Sequence, residues 1–396
     1  MYRLAIVASH PIQYLSPLYR CLARSVDLHV YYAHRATPKD QADAGFAIGF
    51  DWDIALLDGY SYSWLPNRAR HAGIHSFFGC DTPSVEVELT RQQFDAVLVN
   101  GWNLLCYWQA VRGAKSSGLP VIVRGDSQLQ TPRTLLRRTV KKITYPHLLR
   151  RFDAFLSVGT RNSEYLRSYG VCPDRIFSAP HCVDNDFFRS SAECARSDFI
   201  ELRDQFAIPR YTTTFLFVGK FLPRKRPLDF LSALDRLKHT GERVWGLLVG
   251  SGPLEKEMRE HAALHDTPCS FAGFLNQHQI GAAYALADVL VLPSNAEETW
   301  GLVVNEGMAC GVPAILSDGV GCAPDLVTEG KTGFTYPDGN LEELTDRMKR
   351  LVRNRTLRFE MSRRAQIHIE RFSLAAACEG ILLALDSLIG SKEEVR

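Results

Sequence analysis

The feature that most constrains the fold of this chain is a regular alternation of short, uninterrupted apolar runs with stretches of helical periodicity. Such runs occupy residues 4–8, 96–99 and 121–123 in the first half and residues 214–218 and 289–292 in the second half. A run that is apolar at every position is typical of a parallel strand buried on both faces, and the intervening segments are long enough for crossover helices. The sequence therefore predicts an α/β fold with doubly wound parallel sheets.

The apolar runs form two sets, separated by residues 184–208, which are polar and poor in strand pattern. A chain of 396 residues has room for two Rossmann-like cores. We predict a first domain over residues 1–188, a linker, and a second domain over residues 200–372. Apolar side chains at helical spacing within residues 373–396 predict a terminal helix that packs back on the first domain.

Composition excludes several classes of protein. The net charge is +2, from 46 basic and 44 acidic residues, which gives no reason to expect a nucleic-acid partner. No uninterrupted apolar run reaches the ~18 residues that a membrane span needs, and the N-terminal run stops too early for a signal peptide. The ten cysteines show no C-x-x-C spacing, so neither a metal site nor a disulfide framework is expected. We therefore predict a cytoplasmic protein.

Two carboxylates, Glu298 and Glu306, flank the start of a helix predicted to begin near Gly301, directly after the strand at 289–292. The free N–H groups of Gly301, Leu302 and Val303 at this helix end would attract an anion, and the carboxylates can accept hydrogen bonds from hydroxyl groups. That combination suits a nucleotide sugar. An exposed acidic helix face would carry the same two residues, and the pair taken alone favours that second interpretation.

A basic loop follows the strand at 214–218 and contains Gly219, Lys220 and Lys225. In open α/β sheets, ligands bind beyond the carboxyl ends of the strands. Both lysines are therefore expected at the cleft, where cations stabilise a leaving diphosphate. A solvated basic surface loop is an equally good interpretation of this segment alone.

Several segments, in this order, resemble the donor-binding domain of the family 4 glycosyltransferases, which are retaining enzymes of the GT-B fold. They are GKFLPRK at 219–225, GSGPL at 250–254, FAGF at 271–274, ETWGLVVNEGMACGVP at 298–313 and GKTGF at 330–334. The resemblance covers about residues 214 to 372. It implies two Rossmann-like domains that face each other across a cleft, with the C-terminal helix crossing back to the first domain.

The resemblance also implies roles for individual residues. Lys220 and Lys225 would hold the donor diphosphate, Glu306 would accept a hydrogen bond from the ribose, and Glu298 would contact the transferred sugar. It further implies that no metal and no cofactor other than the nucleotide diphosphate-sugar substrate is needed. The implied donor-binding set comprises Gly219, Lys220, Lys225, Gly250, Gly252, Gly273, Glu298, Gly301, Leu302, Val303 and Glu306. The predicted catalytic set comprises Glu298, Lys225, Lys220, Asp126 and His10, of which the last two come from the loops described next.

The first half departs from the family pattern at two loops. The loop at 9–14 lacks the glycine pair that family members often have, so His10 is either a cleft residue or part of a rigid turn capped by Ser9. The strand at 121–123 is followed by Asp126, where many members carry a histidine near the strand end. Asp126 could orient the acceptor hydroxyl or cap the next helix.

One stretch, from Arg133 to Arg151, interleaves basic and apolar residues in the pattern of an amphipathic basic helix. It predicts contact with an anionic membrane surface, although a helix packed on the sheet with its charges in water has the same pattern. The function predicted is transfer of a sugar from a nucleotide diphosphate-sugar to a hydroxyl of a glycan or lipid-linked glycan, in polysaccharide or glycoconjugate biosynthesis. The alternatives are a sugar-nucleotide epimerase of the same fold and a non-catalytic nucleotide-sugar-binding protein.

Overall fold

A computed structural model describes residues 1–393 apart from 43, 44 and 46. Within these residues the chain forms two parallel sheets, one in each half. The strands of the first sheet are β1 (Arg3–Ala8), β2 (Asp27–Tyr32), β3 (Ser61–Trp64), β4 (Ala96–Val99), β5 (Val121–Gly125), β6 (Ala154–Ser157) and β7 (Ile176–Ser178). The strands of the second sheet are β8 (Thr213–Val218), β9 (Val244–Val249), β10 (Cys269–Gly273), β11 (Val289–Leu292), β12 (Ala314–Ser317) and β13 (Gly333–Tyr336).

Helices connect the strands and cover both faces of each sheet. In the first half they are α1 (Leu15–Leu22), α2 (Pro38–Gln41), α3 (Ser84–Arg91), α4 (Leu105–Ser116), α5 (Leu135–Leu149) and α6 (Thr160–Ser168). The next helices are α7 (Asn185–Ala195), α8 (Phe199–Gln205), α9 (Pro227–His239), α10 (Glu255–His265), α11 (Gln277–Leu286) and α12 (Leu302–Ala309). The last are α13 (Ala323–Leu326), α14 (Leu341–Arg353), α15 (Arg355–Ile369) and α16 (Leu374–Glu393).

Strand order shows that both sheets are doubly wound. The first sheet runs β3-β2-β1-β4-β5-β6-β7 and the second runs β10-β9-β8-β11-β12-β13, with every described pair parallel. The order reverses beside β1 in the first sheet and beside β8 in the second. Ligands bind at such reversal points, beyond the carboxyl ends of the strands. The predicted GT-B architecture of two Rossmann-like domains is thus confirmed.

The uninterrupted apolar runs are explained by burial on both faces of the sheets. In β1, Leu4 and Ile6 pack in the cluster that contains α1 and α16, whereas Ala5 and Val7 pack in the cluster that contains α4. All four side chains are fully buried. A polar residue at any of these four positions would lose its hydration without a partner, so all four are apolar.

Residues 184–208, the segment between the two predicted domains, are largely helical. They form α7 and α8, and Asp184 caps α7 by accepting a hydrogen bond from the Phe187 N–H at 3.0 Å. Phe188, Ala192 and Ile208 are buried in the core of the second domain. The segment is polar because only one narrow face of each helix is buried. The proposed domain boundaries at 188 and 200 stay predictions.

The C-terminal helix α16 returns to the first domain, as the sequence predicts, and contacts α1, β6 and β7. Ala377, Ile381 and Leu385 are among its buried residues. The last three positions assigned to this segment, 394–396, lie outside the described residues.

The helical stretch Arg355–Gly390 is long and apolar enough to cross a membrane, judged by length and composition alone. The sequence analysis found no such run because polar residues interrupt it. A single stretch of this kind does not establish a membrane span, and α16 packs on β6, β7 and α1.

A glycine permits the close approach of α16 to β7. A Cβ atom added at Gly380 would lie 1.8 Å from the Ser178 carbonyl oxygen, whereas one added at Gly390 in the same helix would meet nothing within 4 Å. We predict that Gly380→Ala lowers the free energy of unfolding by about 1–3 kcal/mol, because the helix must move away from the strand. Gly390→Ala should instead raise it by about 0.5–1 kcal/mol, through helix propensity. Urea denaturation measures both, and equal effects would contradict this packing.

Candidate active site in the cleft between the two sheets

A cavity of about 400 Å³ lies between the two halves. Loops at the carboxyl ends of strands from both sheets line it, because the two sheets face each other with these ends toward the cleft. From the first half the lining includes Tyr14, Trp52, Asp126 and His181. From the second half it includes Gly219, Lys220, Arg224, Lys225, Gly250, Phe274, Glu298, Gly301, Leu302, Val303 and Glu306.

A buried ion pair joins two of the predicted residues. The Lys225 ammonium group donates a hydrogen bond to Glu298 Oε2. The loop after β8 and the loop after β11 are themselves tied together, since the Asn295 N–H donates to the Arg224 carbonyl oxygen at 2.9 Å. Burial opposes ionisation of Glu298, but the charges of the nearby cations, Lys225 first, hold its pKa below the usual range. Glu298 is therefore a carboxylate at neutral pH.

The cations around Glu298 outnumber it. Besides Lys225, both Arg224 and Lys220 act on its carboxylate. Burial, with the repulsion of Arg224 and Lys225, lowers the pKa of Lys220 to about 8. An excess of positive charge in a partly desolvated cleft is the electrostatic condition for binding an anion such as a diphosphate. Sequence reasoning missed Arg224, although the basic run that contains it was visible.

Helix α12 presents its N-terminus to the same cavity. Gly301 precedes it with a φ of 103°, in the region that favours glycine, and a Cβ atom there would lie 2.8 Å from Leu292. The first-turn N–H groups, including those of Leu302 and Val303, have no carbonyl oxygen within the helix to bond. Both residues line the cavity. The backbone thus adds donors and the positive end of a helix dipole to the side-chain cations.

Glu306 lies on the second turn of α12 and differs sharply from Glu298 in its surroundings. Its Oε2 accepts a hydrogen bond from the Tyr284 hydroxyl at 2.6 Å. Burial raises the pKa of Glu306 to about 7, and the Tyr284 hydrogen bond only partly opposes this effect. Glu306 therefore takes up and releases a proton near neutral pH, within reach of a ligand in the cleft.

The predicted glycines do not all reach the cavity. Gly219 and Gly250 line it, and a Cβ atom at Gly250 would lie 2.0 Å from the Gly219 carbonyl oxygen. Gly252 packs against the backbone of Phe221. The Gly273 carbonyl oxygen accepts from the Gly250 N–H at 2.8 Å, which joins the two loops. Gly252 and Gly273 thus pack against or hydrogen-bond the loops that carry the lining residues. They are not part of the described lining themselves.

The two first-domain candidates have different positions. Asp126 lines the cleft, and its Oδ2 accepts a hydrogen bond from the Thr299 hydroxyl at 2.7 Å. His10 is not part of the described lining, because its ring is turned toward Ser9 Oγ, 2.9 Å from Nδ1. Burial, aided by His34, lowers the pKa of His10 to about 4. The structure therefore brings Asp126, and not His10, to the carboxylates of the second domain.

Arg161 at the start of α6 holds the two halves together beside the cavity. Its Nη1 donates to the carbonyl oxygens of Gly319 and Val320 at 3.0 and 2.9 Å. At the preceding position, the Thr160 hydroxyl donates to Asp325 at 2.7 Å. Sequence reasoning missed this contact, since the two segments lie far apart in the chain.

A loop of the first domain crosses the cleft to reach the second domain. The rings of Phe50 and Phe274 lie 4.1 Å apart between centroids. Nearby, the Asp51 carbonyl oxygen accepts a hydrogen bond from the Asn276 side-chain amide at 2.8 Å. Trp52, between these contacts, lines the cavity.

A metal site is not visible in the part of the chain that the structure describes. None of the described His, Cys, Asp and Glu side chains form a group of three or more that could hold a metal ion. The charge that a diphosphate would meet in this cleft is supplied by Lys220, Arg224 and Lys225.

Comparison with protein families and sequences concerns mainly the second half. Residues 198–368 match the family described as glycosyl transferases group 1. The alpha-D-kanosaminyltransferase of Streptomyces kanamyceticus is 26% identical over 271 residues, which cover 66% of this chain and 68% of that protein. The phosphatidyl-myo-inositol mannosyltransferase of Mycobacterium leprae is 28% identical over 48% of this chain and 50% of its own length. The D-inositol 3-phosphate glycosyltransferase of Saccharomonospora viridis is 27% identical over 55% and 52%. The chain thus spans about half the length of the latter two relatives.

Comparison with solved structures concerns the whole chain. Anabaena Alr3699/HepE in complex with UDP and glucose has a TM-score of 0.74 at 17% identity, covering 98% of this chain and all of that one. A glycosyltransferase from Rickettsia africae has a TM-score of 0.75 at 15% identity, covering 98% of each chain. Likeness at this identity concerns the fold. The chain therefore has the GT-B fold, and residues 198–368 are similar to the family described as glycosyl transferases group 1.

The raised pKa of Glu306 has a consequence for stability. Its pKa in the folded protein is about 7, against an ordinary value of 4.5, so the folded state binds the proton more tightly than the unfolded state. The proton on Glu306 therefore contributes to the stability of the folded state. Its contribution is fully present below about pH 4.5 and is lost as the pH rises through 7. We predict that Glu306→Gln, which keeps a neutral side chain, raises the melting temperature of the unliganded protein more at pH 8 than at pH 5.

The matched control is Glu297→Gln, at an exposed carboxylate of the same loop. Its melting temperature should follow the wild type at both pH values. A Glu306→Gln difference that is the same at pH 5 and pH 8 would contradict the assigned pKa.

Proposed function

We propose that this protein is a retaining glycosyltransferase of family 4 that transfers a sugar from a nucleotide diphosphate-sugar to a hydroxyl of a glycan or lipid-linked glycan. The observation that carries the proposal is the cluster in the cleft, where three cations and a helix N-terminus lie beside Glu298 and Glu306. The names of the relatives, all glycosyltransferases, support it. We further propose a role in polysaccharide or glycoconjugate biosynthesis on the cytoplasmic side of the membrane.

The donor diphosphate would bind between the basic loop and α12. Lys220, Arg224 and Lys225 supply charge from one side, and the first-turn N–H groups of α12 donate from the other. Because negative charge grows on the diphosphate as the bond to the sugar breaks, these groups stabilise the transition state more than the ground state. They would take the part that a metal ion plays elsewhere, so we propose a metal-independent reaction.

Donor binding would open the ion pair between Lys225 and Glu298. The ammonium group would turn to the phosphate oxygens, and the released carboxylate would accept hydrogen bonds from hydroxyls of the transferred sugar. Glu306 would accept a hydrogen bond from the ribose. Its carboxyl group loses its proton near neutral pH, and only the ionised form accepts with both oxygens.

The bond changes would occur on one face of the sugar. The bond from the anomeric carbon to the diphosphate oxygen breaks, and the acceptor oxygen forms a new bond to that carbon from the same side. The acceptor proton passes to the leaving diphosphate oxygen, so neither a protein nucleophile nor a separate base is required. Asp126, at the first-domain wall of the cleft, would accept a hydrogen bond from the acceptor hydroxyl and orient it.

The donor is identified first by melting the protein with UDP-, GDP- and ADP-sugars. A ligand at 100 times its dissociation constant adds about 2.7 kcal/mol to the free energy of unfolding. Labelled donor is then incubated with the protein. Transfer of the label or hydrolysis supports the proposal. Formation of an epimer, or binding without turnover, would replace it with an epimerase or a non-catalytic binder.

Kinetics of single variants then test the roles of the cleft residues. We predict that Lys225→Ala lowers kcat by about 10²-fold, because one preorganised electrostatic group is lost. Glu306→Ala should mainly weaken donor binding, by about 1.5–3 kcal/mol, since the ribose does not change in the reaction. Glu298→Gln should retain donor binding better than rate, because the sugar that it holds gains positive charge. Lys256→Ala, at an exposed lysine of α10, is the control. Wild-type rates for both Lys225→Ala and Glu298→Gln would disprove the site.

We propose that α5 is the surface through which the protein docks on the membrane. Leu135, Leu136 and Ile143 are 80%, 75% and 65% exposed, beside the exposed Arg137 and Arg138. Among the residues of α5, only Leu149 is buried. This exposure favours docking on an anionic lipid surface over packing on the sheet, because apolar side chains and cations are presented together.

We predict that the protein cosediments with vesicles that contain phosphatidylserine and less with neutral vesicles. The variant Arg137→Glu/Arg138→Glu/Lys142→Glu should bind at least about tenfold more weakly, since each basic residue contributes about 1 kcal/mol near such a surface. Arg355→Glu/Arg363→Glu, at exposed positions of α15, should bind like the wild type. Equal binding by all three proteins, or binding by none, would rule out membrane contact through α5.

A further inference from the structure

A second cavity, of about 210 Å³, lies in the first domain at the carboxyl ends of β1, β4 and β5. It adjoins the cleft, since Tyr14, Asp126 and His181 line both. Its other polar lining residues are Ser9, Asn100, Asn103, Tyr107 and Arg124. A ligand in this cavity would therefore approach the cleft from the side opposite the donor cations.

Arg124 is the unusual member of this set. It is only 6% exposed, and its Nε is buried without a hydrogen-bond partner. One Nη atom donates to the Pro180 carbonyl oxygen at 3.3 Å and lies 3.5 Å from His181 Nδ1. In the described part of the chain, no carboxylate forms an ion pair with this guanidinium group.

Three titratable side chains around Arg124 are neutral. Burial raises the pKa of Tyr14 and of Cys182 to about 12 in each case, and burial lowers the pKa of His181 well below its usual value. Asp126, which lines the same cavity, is exposed and accepts a hydrogen bond from Thr299. A buried, always charged guanidinium group without an anion is unfavourable, and at the wall of a cavity it offers a bound anion a charged partner.

We propose that this cavity binds an anionic group of the acceptor, a phosphate ester or a carboxylate, with Arg124 as the residue that recognises it. The proposal rests on the proposed function, because it assigns the first-domain cavity to the acceptor. The guanidinium fork matches the paired oxygens of either group. The volume admits a small charged head group, and Asp126 at the shared wall lies where the reacting hydroxyl would meet the donor sugar.

The test measures anion binding by thermal melting, with the donor site saturated by whichever of UDP, GDP or ADP stabilises the protein. The probes are glycerol 3-phosphate, glycerate and uncharged glycerol at constant ionic strength. We expect at least one of the two anions to raise the melting temperature of the wild type, while glycerol does not. Response to glycerol 3-phosphate alone indicates a phosphate ester, and response to glycerate alone indicates a carboxylate.

Arg124→Gln should weaken the binding of the active anion by about tenfold or more. Arg203→Gln is the matched control, because Arg203 is similarly buried, at 9% exposed, donates to a backbone carbonyl oxygen and has an unpaired buried Nε. It lies in α8, outside both cavities. This variant should bind the anion like the wild type. Ile74→Trp, which fills the cavity without removing the charge, should abolish anion binding even if Arg124→Gln fails to fold.

Two results would overturn the proposal: glycerol binding as well as the anions in the wild type, or Arg124→Gln and Ile74→Trp binding the anion like the wild type. A different result would contradict the proposed function itself: no nucleoside diphosphate and no nucleotide sugar raises the melting temperature of the protein. Failure of both anions to stabilise the wild type, with nucleoside diphosphate binding intact, overturns the acceptor assignment alone.

Discussion

The contact of Arg161 with the backbone of the second domain is the interaction on which the cleft depends. Its guanidinium group donates to successive carbonyl oxygens in the loop after β12, and Gln128 donates to the carbonyl oxygens of Ala296 and Glu298. These bonds go to the backbone, so they fix the position of the second-domain loops regardless of their side chains. Together with the Thr299–Asp126 hydrogen bond, they set the separation between Asp126 and the carboxylates of the second domain.

Glu298 and Glu306 show how their surroundings give two identical carboxyl groups different ionisation states. Both belong to one loop and the helix that follows it, and both are removed from solvent. Cations surround Glu298 and keep it ionised, whereas Glu306 faces a tyrosine hydroxyl and apolar side chains and holds its proton to about pH 7. The cleft thus contains one carboxylate of fixed charge and one whose charge follows the pH.

The fold and the second-domain wall of the cleft could be predicted from the sequence because their signals are local. Strands buried on both faces are almost continuously apolar, and Lys220, Lys225, Glu298 and Glu306 belong to short motifs beside strand ends. The first-domain wall has no such signal. The side of β5 on which Arg124 is buried and the direction of the His10 ring depend on segments distant in the chain. The polar helices at 184–208 escaped prediction because each buries only a narrow face.

The path of the chain between the halves limits how the cleft can move. The backbone passes from the first half to the second just before α7 and returns just before α16, and the Asn185 side-chain amide donates to the Ile369 carbonyl oxygen at 3.3 Å where the two crossings meet. Two bodies joined at a single point can turn about any axis through it. Two bodies joined by two neighbouring connections retain one low-energy rotation, about the line through both connections. Opening of this cleft is therefore a rotation about a single axis. The rotation angle alone sets the distance between the second-domain cations and the Arg124 cavity.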